Sequence, residues 1–246
     1  MLRPVPRLEA ILGRARLVVQ SHPRDTIERI LARWRPGKRS SALTAAEDWQ
    51  HALLSMVGAD PAIVEDAGAA LARLPNDRDP DGIDASPALS VAAYVVAVAV
   101  APERVVETGV GRGFTTHMIL SALDANGKGR LFSIDLPPRG ESRVILERHP
   151  RWTLLEGSTR RLLPRLLEEL GTIDLFVHDS AHTYRNTLFE LESAWPRLTP
   201  GGVIVVDDAD WNVAFEEFVA TRACEYVVAE QIDKPGVFGV IRKPGR

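Results

Sequence analysis

The stretch Val105-Val-Glu-Thr-Gly-Val-Gly-Arg-Gly-Phe-Thr115 constrains this chain most. An apolar pair, Val105 and Val106, leads into glycines at 109, 111 and 113, and Met118, Ile119, Ala122 and Leu123 follow at helical spacing. A buried strand, a sharp turn and a helix in that order let the turn's backbone approach a ligand closely, with helix N–H groups pointing at it. A second strand, Arg130–Asp135, ends in an acid 22 residues after the last glycine. In a doubly wound sheet, a carboxylate at that point accepts both hydroxyls of a ribose. An ordinary strand–helix turn followed by a surface aspartate would not account for the spacing and both strands together.

The pattern continues downstream. Residues 151–158 read as a short strand ending in Gly157-Ser158, followed by a helix to Leu170. Ile173–Asp179 reads as a buried strand with polar residues at its end, and a helix over Tyr184–Trp195 leads to Leu198-Thr-Pro-Gly-Gly202. The strand Val203–Val206 then meets the pair Asp207-Asp208. The tail, Tyr226–Ala229 and Val237–Arg242 around Lys234-Pro-Gly236, reads as an antiparallel hairpin. Alternating strands and helices closed by one hairpin predict an α/β, Rossmann-like, doubly wound sheet of seven strands, mostly parallel and covered on both faces.

The glycine pattern, Gly-x-Gly-x-Gly, lacks the two-residue gap of the dinucleotide fingerprint, and Glu107 stands two places before the first glycine. This resembles the first motif of class I S-adenosylmethionine (SAM) methyltransferases. The resemblance covers 85–246, and within it the chain is most similar to metal-dependent small-molecule O-methyltransferases, both catechol-type enzymes and sugar O-methyltransferases of antibiotic biosynthesis. Glu-Thr-Gly-Val-Gly-Arg-Gly-Phe-Thr, Leu-Leu-Glu-Gly-Ser, His-Asp-Ser-Ala-His-Thr-Tyr and Pro-Gly-Gly-Val-Ile-Val-Val-Asp-Asp all have counterparts there in the same order.

The resemblance implies methyl transfer from SAM to a hydroxyl of a small molecule. Gly109, Gly111 and Gly113 would line the cofactor, with Thr115 at its carboxylate end. Asp135 would hold the ribose hydroxyls, and Gly157 and Ser158 would border the adenine. Glu107 would orient the turn or accept from the cofactor's ammonium, and Asp179 would contact the cofactor in metal-free relatives. In the metal-dependent family the positions of Asp179, Asp207 and Asp208 are ligands of Mg²⁺ or another divalent cation. Three crowded carboxylates repel and take up protons unless a cation is present, and Mg²⁺ prefers such oxygen donors. The ion would acidify the acceptor hydroxyl and aim it at the methyl group.

His182, three residues after Asp179, is the candidate general base, at a position where catechol-type enzymes carry a lysine. Sugar-modifying relatives often show Asp-Gly-Asp here. This chain has Asp179-Ser180-Ala181, so the second acid is missing. A structural role for His182 stays open, and His178, still inside the strand, reads as structural. Two other functions compete: a metal-independent SAM methyltransferase with another acceptor, and a SAM-binding module without catalysis.

The chain of 246 residues is 45% hydrophobic, enough for one core and a small appendage. Residues 1–39 hold ten Lys/Arg against three Asp/Glu, although the whole chain carries a net −3. Helical stripes at Leu8–Val19 and Ile27–Trp34, a capping box Thr44-Ala-Ala-Glu47 opening a third helix, and a fourth over Ile63–Leu74 make 1–84 a helical cap or dimerisation segment. A homodimer fits those stripes. The basic arm reads either as solvated helix faces or as contact with an anionic partner; nucleic acid is not the expected partner. The apolar run Ala88–Pro102 is too short to span a membrane. With Cys224 as the single cysteine and no secretory pattern, a cytoplasmic protein is the expectation.

Overall fold

The computed structural model describes residues 39–74, 85–136, 148–232 and 234–245. The helices expected over Leu8–Val19 and Ile27–Trp34 lie outside these residues. Described helices are α1 (Trp49–Val57), α2 (Ala62–Leu71), α3 (Pro87–Val100), α4 (Phe114–Ala125), α5 (Thr159–Leu170), α6 (Tyr184–Ala194) and α7 (Ala214–Ala220). Strands are β1 (Arg104–Thr108), β2 (Arg130–Asp135), β3 (Trp152–Glu156), β4 (Ile173–His178), β5 (Leu198–Val206), β6 (Glu225–Glu230) and β7 (Val237–Arg242).

They form one seven-stranded sheet in the order β3-β2-β1-β4-β5-β7-β6, with β7 antiparallel to both of its neighbours. The expected doubly wound sheet with a terminal hairpin is therefore observed. Alternation along each strand divides the core between the two faces. Val105, Leu175, Val177, Val203 and Val205 pack toward α3 and α4, while Val106, Phe176, Ile204 and Val206 pack toward the face covered by α5, α6 and α7. β1 pairs with β2 on one side and β4 on the other, so strand order reverses at β1. A crevice at the carboxyl ends of the strands opens at such a point.

The apolar run before β1 is α3, begun by the Ser86 side chain, which accepts from Ala88 N–H at 3.2 Å, and by Pro87 in the first turn. Its alanines and valines are buried nearly all round because it lies between α4, α2 and the sheet. No helix among the described residues is long and apolar enough to cross a membrane.

Element boundaries differ from the sequence reading most at two places, and the helix expected over Ile63–Leu74 ends at Leu71. α1 begins at Trp49, capped by Asp48, whose carboxylate accepts from His51 N–H at 3.0 Å. Thr44 and Glu47 do not open it, because Ala46 N–H donates to Val228 O at 2.8 Å and ties that segment to the sheet edge at β6. β5 starts at Leu198 rather than Val203, because Leu198 pairs with Ile173 before the register shifts. The appendage 39–74 docks on the domain: Leu53 and Met56 of α1 join the core, and the Arg242 guanidinium donates to Met56 O.

Candidate active site

β1 ends at Thr108, and the chain turns through Gly109 (φ 84°), Gly111 (φ 52°) and Gly113 (φ 90°), the last being the N-cap of α4. A Cβ on Gly109 would lie 1.9 Å from the carbonyl oxygen of Asp179, so only glycine lets β1's turn pass under the end of β4. A Cβ on Gly111 would meet nothing within 4 Å, so that face of the turn is open. The Asp135 carboxylate, at the end of β2, accepts from Val110 and Gly111 N–H, each at 3.2 Å. Gly157 N–H donates to Asp135 O at 2.9 Å, which brings Ser158, the N-cap of α5, to the same edge. Gly109, Asp135, Gly157, Ser158, Ser180 and Asn186 line one cleft.

Thr115, expected at the cofactor's carboxylate end, and Glu107, expected to orient the turn or meet the cofactor's ammonium, are turned inward. Thr115 is buried, with its hydroxyl 3.4 Å from that of Ser90 on α3. Glu107 is fully buried and braces the turn from beneath: Thr116 Oγ1 of α4 donates to its Oε2 at 2.8 Å, and Ser133 Oγ of β2 at 2.6 Å. Its Oε1 has no partner among the described residues. Burial pushes this carboxyl up to about 7, against the hydrogen bonds from Ser133 and Thr116.

At the ends of β4 and β5 the lining changes. Asp179 N–H donates to Thr108 O at 2.8 Å and Asp207 N–H to His178 O at 2.9 Å, which brings the two acids to adjacent strand ends. Asp208 follows in the left-handed region (φ 47°), an uncommon backbone state for a residue with a side chain. His182 Nε2 lies 3.6 Å from Asp208 Oδ2 and 3.8 Å from Asp179 Oδ1. Trp211 stands edge-on to the His182 ring at 5.7 Å, and the Arg39 guanidinium lies over Trp211 at 5.5 Å. Asn212 Nδ2 donates to His182 O at 3.3 Å.

Charge in this pocket is shared unequally. Burial, then the neighbouring Asp207 charge, holds the Asp179 carboxyl well above the usual carboxylate range. Asp208 is raised by burial and by Asp207. Burial also acts on Asp207, but Lys234 and then His182 outweigh it and hold that carboxyl low. Burial lowers His182 despite the nearby aspartates, which favours a neutral imidazole.

The site contains residues that sequence reasoning missed. Lys234 Nζ donates to Asp207 Oδ2 at 3.1 Å and lies 3.3 Å from Asp208 Oδ1. Gln231 Nε2 donates to Asp207 Oδ1 and to Asp208 Oδ1, both at 3.0 Å. Their only sequence signal was a hairpin connection. Beneath the pocket, Glu190 of α6 faces His178 Nδ1 at 2.6 Å and accepts from Thr108 Oγ1 at 2.5 Å, Ser180 Oγ at 2.8 Å and Asn186 Nδ2 at 2.9 Å. Burial would raise this carboxyl, but His178, then Thr108, hold it at about 2. The structural reading of His178 agrees with its place in this buried network.

Residues 106–209, from within β1 to just beyond β5, match a protein family described as a methyltransferase domain. The matched stretch is thus similar to a methyltransferase domain. Every candidate residue from Glu107 to Asp208 lies inside the matched stretch, while Gln231 and Lys234 lie outside it. Solved structures share this seven-stranded fold. The O-methyltransferase TomG from Streptomyces achromogenes, involved in tomaymycin synthesis and solved with SAM, is 17% identical, with a TM-score of 0.54 over 82% of this chain and 100% of that one. The O-methyltransferase from Bacillus cereus, solved with S-adenosylhomocysteine (SAH), is 16% identical, with a TM-score of 0.54 over 78% of this chain and 96% of that one. The SAH-bound Podospora anserina methyltransferase PaMTH1 is 16% identical, with a TM-score of 0.52 over 83% and 99%. No curated protein matches the chain by sequence.

Proposed function

We propose that the methyltransferase domain moves a methyl group from SAM to a hydroxyl of a small molecule. One observation carries the reading: Asp179 joins the two halves of the strand-end edge. Its carbonyl packs on Gly109 of the glycine turn, while its carboxylate faces His182 and Asp207. A cofactor on the turn and an acceptor in the acidic pocket would meet at this residue.

SAM, when bound, supplies a methyl group on a positively charged sulfur and leaves as SAH. The open face of Gly111 and the cleft beside Asp135, Gly157 and Ser158 fit such a ligand, with the Asp135 carboxylate suited to ribose hydroxyls. Thr115 and Glu107 support the turn from inside. His182 takes the acceptor's hydroxyl proton as the oxygen forms its bond to carbon. The imidazolium that results faces Asp208, 3.6 Å from Nε2. Trp211 and Arg39 border the acceptor side. The described residues of 39–74 act as part of this wall, and a homodimer through 1–84 and a cytoplasmic setting belong to the same proposal.

A divalent ion is the finer expectation. One observation favours it: Asp179, His182 and Asp207 each turn a donor atom to within 4.8 Å of the others. Asp207 and Asp208, however, already accept from Lys234 and Gln231, and an ion on them would need Lys234 to withdraw. No step proposed for His182 depends on a metal.

The test is SAM titration by calorimetry, followed by transfer of a labelled methyl group to a panel of phenols and sugars. His182→Gln should lower kcat by about 100-fold or more and leave the SAM Kd within about twofold. Because burial lowers His182, the acid limb of the rate should fall below the ordinary histidine value near 6.5. Absence of SAM binding would sink the assignment, and an unchanged kcat in His182→Gln would sink the base.

A further inference from the structure

We propose that Lys234 is the resident cation of the acceptor pocket, standing between Asp207 and Asp208 where a divalent ion would otherwise sit, so that the pocket is built to work without metal. The inference rests on reading 179–208 as the acceptor half of a methyltransferase. The lysine comes from the β6–β7 connection, far in sequence from the carboxylates it serves and outside the stretch that matches the family.

The geometry is that of a filled site. Lys234 Nζ lies 3.1 Å from Asp207 Oδ2 and 3.3 Å from Asp208 Oδ1, within reach of two of its three N–H donors. Gln231 Nε2 takes Asp207 Oδ1 and shares Asp208 Oδ1 with the lysine. Both oxygens of Asp207 are thereby satisfied, and its side chain is only 1% exposed. Asp208 Oδ2 faces His182. Among the described residues, Asp179 keeps a carboxylate turned to this pocket without Lys234 or Gln231 on it.

The lysine is held there by more than its own side chain. Gln231 N–H donates to Gly236 O at 3.0 Å and closes the connection on itself. Val237 N–H donates to Asp210 Oδ1 at 3.1 Å, and Ala209 N–H to Val237 O at 2.8 Å. The connection is thus fastened to the same 207–210 turn that carries the carboxylates. Only 23% of the Lys234 side chain remains exposed.

A divalent ion would compete poorly with this arrangement. Mg²⁺ requires several oxygen donors in near-ideal octahedral geometry and gives up its water reluctantly. Here both Asp207 oxygens and Asp208 Oδ1 are already taken by Gln231 and Lys234, and an ion shared between Asp207 and Asp179 would lie a few ångströms from the ammonium, where like charges repel strongly in a partly buried pocket. The lysine also provides what an ion would provide electrostatically: a fixed positive charge beside the carboxylates.

The experiment is metal binding to the full chain with SAM binding measured beside it. Mn²⁺ and Mg²⁺ are titrated by calorimetry into wild type, Lys234→Met and Lys234→Arg, and Mn²⁺ uptake is checked by its electron paramagnetic resonance signal. The expected result is weak Mn²⁺ binding to wild type and Lys234→Arg, and binding at least about tenfold tighter in Lys234→Met, where the repelling charge is gone. Tight Mn²⁺ binding to wild type would overturn the proposal, and so would a folded Lys234→Met that binds Mn²⁺ no better than wild type. If Lys234→Met does not fold, Lys234→Cys alkylated with a neutral reagent after folding, compared with the same cysteine converted to a lysine analogue, makes the same comparison. Failure of wild type to bind SAM would instead count against the methyltransferase reading.

Discussion

Over β1, β2 and β3 the strand ends are lined mainly by backbone. The glycine turn, the N–H groups of Val110 and Gly111, and Gly157 form the cleft, with Asp135 as its one acid among the described residues. Over β4, β5 and the β6–β7 connection they are lined by side chains. Three aspartates, His182, Gln231 and Lys234 converge there, and each carboxyl's protonation depends on its neighbours. The first half is specified by which residues can adopt a backbone shape. The second is specified by which charges can be buried together, since a buried charge needs a partner. A backbone-built cleft should fail through sterics and strain, and a charge-built pocket through loss of a partner.

The largest expected effect breaks the joint between the halves. Gly109→Ala sets a Cβ 1.9 Å from Asp179 O at a φ of +84°. It should cost about 3 kcal/mol or more of stability by chemical denaturation and abolish SAM binding. A stable, SAM-binding Gly109→Ala protein would mean that the halves do not meet as described.

Glu107 sharpens the comparison, because it is a buried carboxyl on the backbone-built side. Its folded value is raised from 4.5 to about 7. The folded state therefore holds a proton that the unfolded chain has lost between those values. The stabilising contribution is complete below about 4.5 and declines as pH rises through about 7, by about 3 kcal/mol in all. Glu107→Gln cannot titrate, so its stability relative to wild type should rise by that amount across the window in denaturant midpoints. A difference that stays flat with pH would refute the buried acid.

Asp135→Ala should weaken SAM binding by about 2 kcal/mol, or roughly thirtyfold in Kd, with a stability change under about 1 kcal/mol. Equal SAM affinity in the variant would remove the ribose role. Gly111→Ala is the smallest test. Its Cβ meets open space, so only the φ of +52° is strained, and about 1 kcal/mol of stability is expected. A loss as large as that of Gly109→Ala would show that the open face of the turn is closed in solution.

The glycine-turn half was readable from the chain because its determinants are local. Glycines at 109, 111 and 113, an acid at the end of β2 and strand-length apolar runs are positions in sequence before they are positions in space. The aspartates were also legible as residues at strand ends, and β4–β5 pairing brought them together as expected. Their partners were not. Glu190 reads in sequence as one more acid on an amphipathic helix, yet it is fully buried against His178. Ala46 sits inside an apparent capping box, yet its N–H belongs to the sheet edge.

The alternation of apolar runs, the glycine spacing and the acids at strand ends determined the doubly wound sheet and the edge where ligands would bind, because each acts through its nearest neighbours along the chain. Only the tertiary structure decided that Lys234 and Gln231 stand among the aspartates. Their approach follows from antiparallel closure of β7 on β5, which folds a distant turn over the ends of β4 and β5 and supplies the charge that lets those carboxylates stay buried.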